Sequence, residues 1–252
     1  MKKYSVLTYV FGDYENLHEI DETDPDAEYI CVTDNENLKS STWRIILDKG
    51  PKSYNSFDKV CMVRYNPFKY CNTDVVVKVD GSIKIKKSLS PIIDEFNNGN
   101  YETCVMIHPA RSILEEEYKA WISIRGYDYN HALEVITQLR MCGHNPNYRG
   151  LYQLCFSIQR KTGNVLMFNE MAYSLVRNLG LNNHCDRLDQ TLFSFVLNKN
   201  FSDMAVMAVD EDIVTNSDYM DWCIHGTDEK IPRKTNCIPT YLFNNKIDVF
   251  KF

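Results

Sequence analysis

The run Val75-Val76-Val77-Lys78-Val79, closed by Asp80-Gly81-Ser82, constrains this chain more than any other segment. An apolar β-branched stretch reads as a strand buried on both faces, the kind found in parallel sheets. It stops abruptly at a carboxylate followed by glycine. In open α/β sheets, chemistry collects beyond the carboxyl ends of the strands. A carboxylate at that place can hold a divalent metal against a substrate diphosphate. An Asp-Gly turn that merely ends a strand has the same sequence, so both readings stay open on this segment alone.

A chain of 252 residues is long enough for one large α/β domain or two small ones. A net charge of −6 argues against a sequence-independent grip on nucleic acid, which needs clustered Lys and Arg. The small basic group Lys78, Lys84, Lys86 and Lys87 is enough for one anionic ligand, not for a duplex. The chain has nine cysteines, an odd number, and no C-x-x-C pair. Zinc-site spacing is therefore absent, and buried free thiols in a reducing compartment are expected. Tyr4 to Phe11 is short for a secretory leader and meets Gly12-Asp13 without a small-residue cleavage site. It reads as the first strand, and no run has the length of a membrane span. The expectation is a cytoplasmic protein.

Along the chain, strands are expected at Tyr4–Phe11, Glu28–Val32, Trp43–Leu47, Val75–Val79, Cys104–Ile107, Leu151–Ile158 and Ala205–Val209. Helices are expected at Phe57–Tyr65, from Ser90-Pro91 to Asn98-Gly99, at Ser112–Ile124, Asn130–Cys142, Phe168–Leu179 and Asp189–Leu197. Ser90 reads as the cap of its helix. The tail from about residue 227 shows turn residues and little periodicity, and is expected to be extended or packed over the site. Alternating strands and helices predict an α/β fold with a mostly parallel sheet covered on both faces. No repeat or Pro/Gly/Ser linker interrupts residues 1–252, which predicts a single domain.

Three strands end in polar residues that could face one crevice: Thr8 to Asp13, Thr33-Asp34-Asn35 and Asp80-Gly81-Ser82. His108 with Arg111, Asn169-Glu170, and Arg187 with Asp189-Gln190 stand beside them. Polar residues in loops are commonly just solvated; their order along the chain adds meaning.

In that order the sequence resembles the TOD/mucilage-related glycosyltransferase-like family, once a domain of unknown function and placed among the GT-A glycosyltransferases. The pieces are Tyr9-Val10-Phe11-Gly12-Asp13-Tyr14, Ile30-Cys31-Val32-Thr33-Asp34-Asn35, Arg64-Tyr65-Asn66-Pro67 and Val79-Asp80-Gly81-Ser82-Ile83. His108-Pro109-Ala110-Arg111 with Glu117, Phe168-Asn169-Glu170, and Asp189-Gln190-Thr191-Leu192-Phe193-Ser194 complete the set. It runs from about residue 4 to 200. The resemblance implies one Rossmann-like GT-A domain that moves a sugar from a nucleotide-sugar donor to a glycan or lipid-linked glycan acceptor. It also implies a part in cell-surface or capsular polysaccharide synthesis, and a lipid-linked acceptor would bring the protein peripherally to a membrane.

The resemblance also implies roles. Thr8, Tyr9 and Val10 would line the nucleoside pocket, and Asp34 would accept hydrogen bonds from base or ribose. Arg64 would pair with a phosphate, whose oxygens a guanidinium matches bidentately, or else is a surface charge at a helix end. Asp80 and Gly81 would face the donor where related transferases place an Asp-x-Asp metal motif. Mn2+ or Mg2+ is the implied cofactor, although Lys78 holds the motif's first position. His225, followed by Gly226, would close the metal site, or is simply an exposed loop histidine. His108, Arg111, Glu117 and Gln190 would bind acceptor or sugar, or Arg111 and Glu117 form a pair that orients the site. Asn169 and Glu170 would hold hydroxyls, or cap a helix. Asp189 would be the carboxylate nearest the reacting carbon, as base for inversion or as stabiliser of an oxocarbenium-like state for retention. The pattern departs where Leu188 separates Arg187 from Asp189, and where the stretch from Asn169 to Asp189 is longer than the family's.

Two other functions bear comparison with the sequence. A catalytically silent nucleotide- or carbohydrate-binding protein of the same fold suits Lys78 in place of the first aspartate. A nucleotidyltransferase would need a glycine-rich phosphate loop that the chain lacks.

Overall fold

The computed structural model describes residues 2–12, 15–125, 129–145, 149–180, 189–215, 217–225, 227, 229 and 247–250. Among them an eight-stranded sheet is built from β1 (Tyr4–Val10), β2 (Ala27–Thr33), β3 (Arg44–Leu47), β4 (Val75–Val79), β6 (Thr103–Ile107), β7 (Tyr152–Arg160), β8 (Val206–Val209) and β10 (Ile247–Phe250). Their spatial order is β10-β8-β6-β7-β4-β1-β2-β3. A two-stranded sheet of β5 (Ile83–Ile85) and β9 (Met220–Trp222) stands apart.

Every neighbouring pair in the large sheet is parallel except those of β7, which runs antiparallel to both β4 and β6. The mostly parallel α/β sheet expected from the sequence is present. Reversal of β7 leaves β4 and β6 parallel to each other. The carboxyl ends of β1, β2, β4 and β6 therefore open on one rim: Phe11-Gly12, Asp34, Asp80 and His108.

Seven helices flank the sheet in the described residues: α1 (Ser56–Arg64), α2 (Ser90–Asn98), α3 (Leu114–Arg125), α4 (Tyr129–Met141), α5 (Gly163–Leu175), α6 (Asp189–Asn200) and the single turn α7 (Asp212–Thr215). Tyr4, Val6 and Val10 of β1 and Val75, Val77 and Val79 of β4 pack with Ile92, Ile93 and Phe96 of α2. The alternate residues, Leu7 and Tyr9 of β1 and Val76 of β4, pack with Val63 of α1 on the other face. This period-2 division decides which strand residues can reach the rim cluster described below.

Local chemistry sets the helix ends. Asn55 caps α1 through a reciprocal box: its side chain accepts the Asp58 N–H at 2.9 Å, and Asp58 accepts the Asn55 N–H at 3.1 Å. Three expectations are corrected. Leu89, not Ser90, is the cap residue of α2, because the Ser90 hydroxyl donates to Asp24 at 2.5 Å. α5 begins at Gly163, capped by Thr162, so Asn169 and Glu170 lie in mid-helix and cap nothing. The helix from Phe168 to Leu179 is α5 only as far as Leu175; a π turn, Val176–Gly180, continues it. Within the tail, Ile247–Phe250 forms the edge strand β10 beside β8.

No helix of the described residues is long and apolar enough to cross a membrane. The cysteines among them are free, six buried and Cys142 exposed.

Candidate active site

Arg64, the last residue of α1, organises the rim. Its side chain is directed back along the helix toward the tips of β1 and β4, and only 7% of the residue is exposed. Nε donates to the Tyr9 hydroxyl at 2.8 Å, Nη2 to Asp80 Oδ1 at 2.8 Å, and Nη1 to Asp189 Oδ2. The Tyr9 hydroxyl itself donates to Asp80 Oδ1 at 2.8 Å. Burial works against a charged guanidinium, but Tyr9, Asp80 and Asp189 more than offset it and hold Arg64 protonated. Tyr9 is pushed well above the ordinary phenol value, chiefly by burial, so it stays a donor.

Beneath this layer lies Lys78, 1% exposed, donating to the Arg64 carbonyl at 3.2 Å. Burial and then the Arg64 charge bring its ammonium down to about 7, against a smaller upward pull from Asp80. Lys78 thus props the end of α1 from inside the sheet.

Asp189 opens α6, and its carbonyl accepts from the Tyr65 hydroxyl at 3.3 Å. Side chain and main chain of Asp189 are both fixed by the end of α1. Asp80 is different. Its Oδ1 accepts two bonds, while Oδ2 has no partner among the described residues and the side chain is 26% exposed. Asp80 therefore presents one carboxylate oxygen to the rim.

Asp34, at the tip of β2, spends both oxygens inside the protein, accepting from Gly12 N–H at 3.1 Å and Lys59 Nζ at 2.7 Å. Burial would raise its carboxyl; these bonds outweigh it and hold it below the usual range. Asp34 clamps β1, β2 and α1 together, so base or ribose would have to displace Lys59 to reach it. Gly12 takes φ +66°, and a Cβ there would lie 2.8 Å from Ser56 Oγ, so the clamp needs glycine.

Thr8 and Val10 do not join the Arg64 cluster with Tyr9. One residue either side of Tyr9, their side chains alternate to the other face of β1, where Val10 packs in the core with Val6 and its Cγ2 lies beside Gly81. Asn169 is held away from the rim. Asn169 makes a reciprocal amide pair with Gln159, at 2.9 and 3.0 Å. Gln159 lies opposite Val76, four residues or about 13 Å along the strand from Asp80. Glu170 is exposed on α5.

His108, Arg111, Glu117 and Gln190 do come together. Arg111 Nε donates to Glu117 Oε2, Arg111 Nη2 lies 3.0 Å from His108 Nε2, and Gln190 Nε2 donates to Glu117 Oε1 at 3.0 Å. Glu117 is wholly buried, which closes it to direct contact with a sugar. This second cluster adjoins the first through the consecutive residues Asp189 and Gln190.

His225 pairs through Nδ1 with Glu15 Oε1. A Cβ at Gly81 would lie 3.2 Å from both Glu15 Cβ and Val10 Cγ2, so His225, Glu15 and the Asp80-Gly81 turn are stacked at one place. Cys223 N–H donating to Ser82 O at 2.8 Å holds this late segment along the turn. Arg187 and Gly226 lie outside the described residues. Sequence reasoning assigned no role to Glu15, Lys59 or Tyr65; only Tyr65, beside Arg64, carried a signal, through its place in the same motif.

Divalent cations need several oxygen or imidazole ligands. Among the described residues no group of three or more His, Cys, Asp and Glu is gathered to hold one. Lys78 lies buried beneath Asp80 and supplies no carboxylate, and His225 spends Nδ1 on Glu15. The open Asp80 oxygen would be the protein's contact for a cation whose other ligands come from elsewhere. The residues do not fit a preassembled metal site.

No family model matches this sequence, and no curated protein matches it. Solved glycosyltransferase structures are similar to it. One is the glycosyltransferase GlyE of Streptococcus pneumoniae TIGR4, at 9% identity and a TM-score of 0.46, over 84% of this chain and 46% of that chain. This chain thus spans less than half the length of the GlyE chain. Another is mouse xyloside xylosyltransferase 1 in its apo form, at 10% identity and a TM-score of 0.41, over 78% of this chain and 82% of that one. Likenesses this loose give no residue-by-residue correspondence. The roles of the side chains are argued from their own surroundings.

Proposed function

We propose that this chain is a glycosyltransferase of the GT-A kind, moving a hexosyl group from a nucleotide-sugar to a hydroxyl of a glycan or lipid-linked glycan. One observation carries the reading: Arg64 gathers carboxylates from β4 and α6 at the carboxyl ends of parallel strands, with one Asp80 oxygen left facing outward. The ordered motif pieces that resemble the TOD/mucilage-related family supply Tyr9, Arg64, Asp80 and Asp189, the four residues of this cluster.

In the transfer, the bond from the anomeric carbon to the diphosphate oxygen breaks and a bond to the acceptor oxygen forms. The acceptor hydroxyl gives up its proton, and the diphosphate leaves with the bonding electron pair. Asp80 faces the leaving group, and Arg64 fixes the direction in which its carboxylate points. Mn2+ or Mg2+, when bound, supplies positive charge to the departing diphosphate. Asp189, anchored by Arg64 and Tyr65, sits on the sugar side, as base for inversion or as the negative charge that steadies an oxocarbenium-like carbon for retention.

A second reading, a silent nucleotide- or carbohydrate-binding protein, is favoured by one specific feature. The Asp189 side chain is 4% exposed and committed to Arg64, so it has to be uncovered before it can take a proton. Hydrolysis of UDP- or GDP-sugars separates the readings. The transferase reading expects slow turnover that disappears in Asp189→Asn. No turnover, with nucleoside diphosphate still raising the melting temperature in the presence of Mn2+ and failing to do so in Asp80→Ala, leaves the binding protein standing.

A further inference from the structure

We propose that Glu117 is a positioning residue that acts through Gln190 to hold Asp189 against Arg64; this rests on the transferase reading above. Glu117 lies in the first turn of α3 and is 0% exposed. A carboxylate is costly to bury unless its oxygens are hydrogen-bonded, and a hydrophobic side chain would pack a helix start at less cost. Polar groups at this place therefore supply direction. Both Glu117 oxygens are used: Oε2 by Arg111 Nε, with His108 Nε2 at 3.6 Å, and Oε1 by Gln190 Nε2 at 3.0 Å.

The tether has a rigid base and a defined end. His108 Nδ1 accepts the N–H groups of Ala110 at 3.2 Å and Arg111 at 3.1 Å, so its ring shapes the turn that carries Arg111. Arg111 then fixes the Glu117 carboxylate. Gln190 takes the connection into α6, and its own Oε1 accepts the Leu154 N–H of β7 at 3.4 Å. The preceding residue is Asp189. The start of α6 is thus located from α1 by Arg64 and Tyr65, from α3 by Glu117, and from β7 by Leu154. Displacing a reacting group by about 1 Å costs on the order of 100-fold in rate, which makes such a tether consequential.

Glu117→Gln keeps the shape and removes the charge; Gln190→Leu cuts the same tether from the other side. With a UDP- or GDP-sugar that the wild type hydrolyses, both variants should lose about 10- to 100-fold in kcat with donor KM unchanged. The double variant should be no worse than the worse single, because the two share one path. Hydrogen exchange over residues 189–200 should be faster in Glu117→Gln and unchanged in Glu134→Gln, an exposed change on α4. Additive losses, a rise in KM alone, or unchanged exchange over 189–200 each overturn the proposal. A wild type that turns over no nucleotide-sugar, while exchange still quickens in Glu117→Gln, overturns the transferase reading and leaves the tether supported.

Discussion

Arg64 and Asp189, 125 residues apart in the chain, meet in a buried ion pair that closes the end of α1 on the start of α6. The same guanidinium holds Asp80 and the Tyr9 hydroxyl. Removing one member of a buried pair leaves the others with uncompensated charge, at a cost of about 3–5 kcal/mol. Arg64→Met is therefore expected to lower the urea midpoint strongly. Arg64→Lys should recover little, because one ammonium cannot serve three acceptors set around a planar fork. A near-native midpoint for Arg64→Lys would show that charge alone, not geometry, holds the cluster.

Lys78 yields a prediction of opposite sign. Its folded-state value, about 7, lies below the ordinary 10.5. Below pH 7 the group is charged in both states and the full cost of burying the ammonium is felt. As pH rises from 7 toward 10.5 the folded protein sheds the proton first, so stability rises. Lys78→Met removes that cost and gives up one hydrogen bond to the Arg64 carbonyl, a loss of about 1 kcal/mol. The variant should melt higher than wild type at pH 6 and gain less at pH 9. An equal gain at both pH values would mean that packing, not charge, is responsible.

The run from Val75 to Val79 announced its strand, and Asp80 its place at the tip, because burial on both faces and a break at Asp-Gly are local properties. Other features were not local. Strand direction leaves no mark on composition, so nothing in Tyr152–Arg160 told that β7 runs antiparallel. Thr8 and Val10 alternate away from Tyr9 on β1, so only the Tyr9 side chain joins the Arg64 cluster. That distinction was available from the alternation itself. The pairing of Glu15 with His225 joins residues 210 apart and could not be read from either one. Asn169 looked like a site residue for its type and motif, and proved to be one half of an amide pair whose other half, Gln159, lies on a strand.

Gly81 is a packing position as well as a turn. A methyl group added there would meet Val10 Cγ2 and Glu15 Cβ at 3.2 Å, tighter than ordinary van der Waals contact. Gly81→Ala should push Glu15 aside, loosen its pairing with His225 and cost about 1–3 kcal/mol, as overpacking commonly does. The larger effect is expected on ligand response: a nucleoside diphosphate with Mn2+ should raise the melting temperature less than in wild type. An unchanged ligand shift would separate the Glu15 and His225 pairing from the Asp80 turn.

Acid should unfold this protein through Asp24, far in function from Asp80 but central to how the β1–β2 connection is tied to α2. Asp24 is 6% exposed. Burial would raise its carboxyl, but donors from Ser88, Ser90, the Asp26 N–H and Tyr4 outweigh that and bring it to about 2. The folded value lies below the ordinary 3.8. The stabilisation is therefore complete above about pH 4 and is lost as pH falls toward 2, amounting to about 2 kcal/mol. Asp24→Asn keeps the size but presents one acceptor oxygen where the hydroxyls of Tyr4, Ser88 and Ser90 converge. It should melt lower than wild type at pH 7, with the gap closing as both are titrated toward pH 2. A gap that stays constant with pH would assign the loss to altered hydrogen-bond geometry and not to the carboxylate's charge.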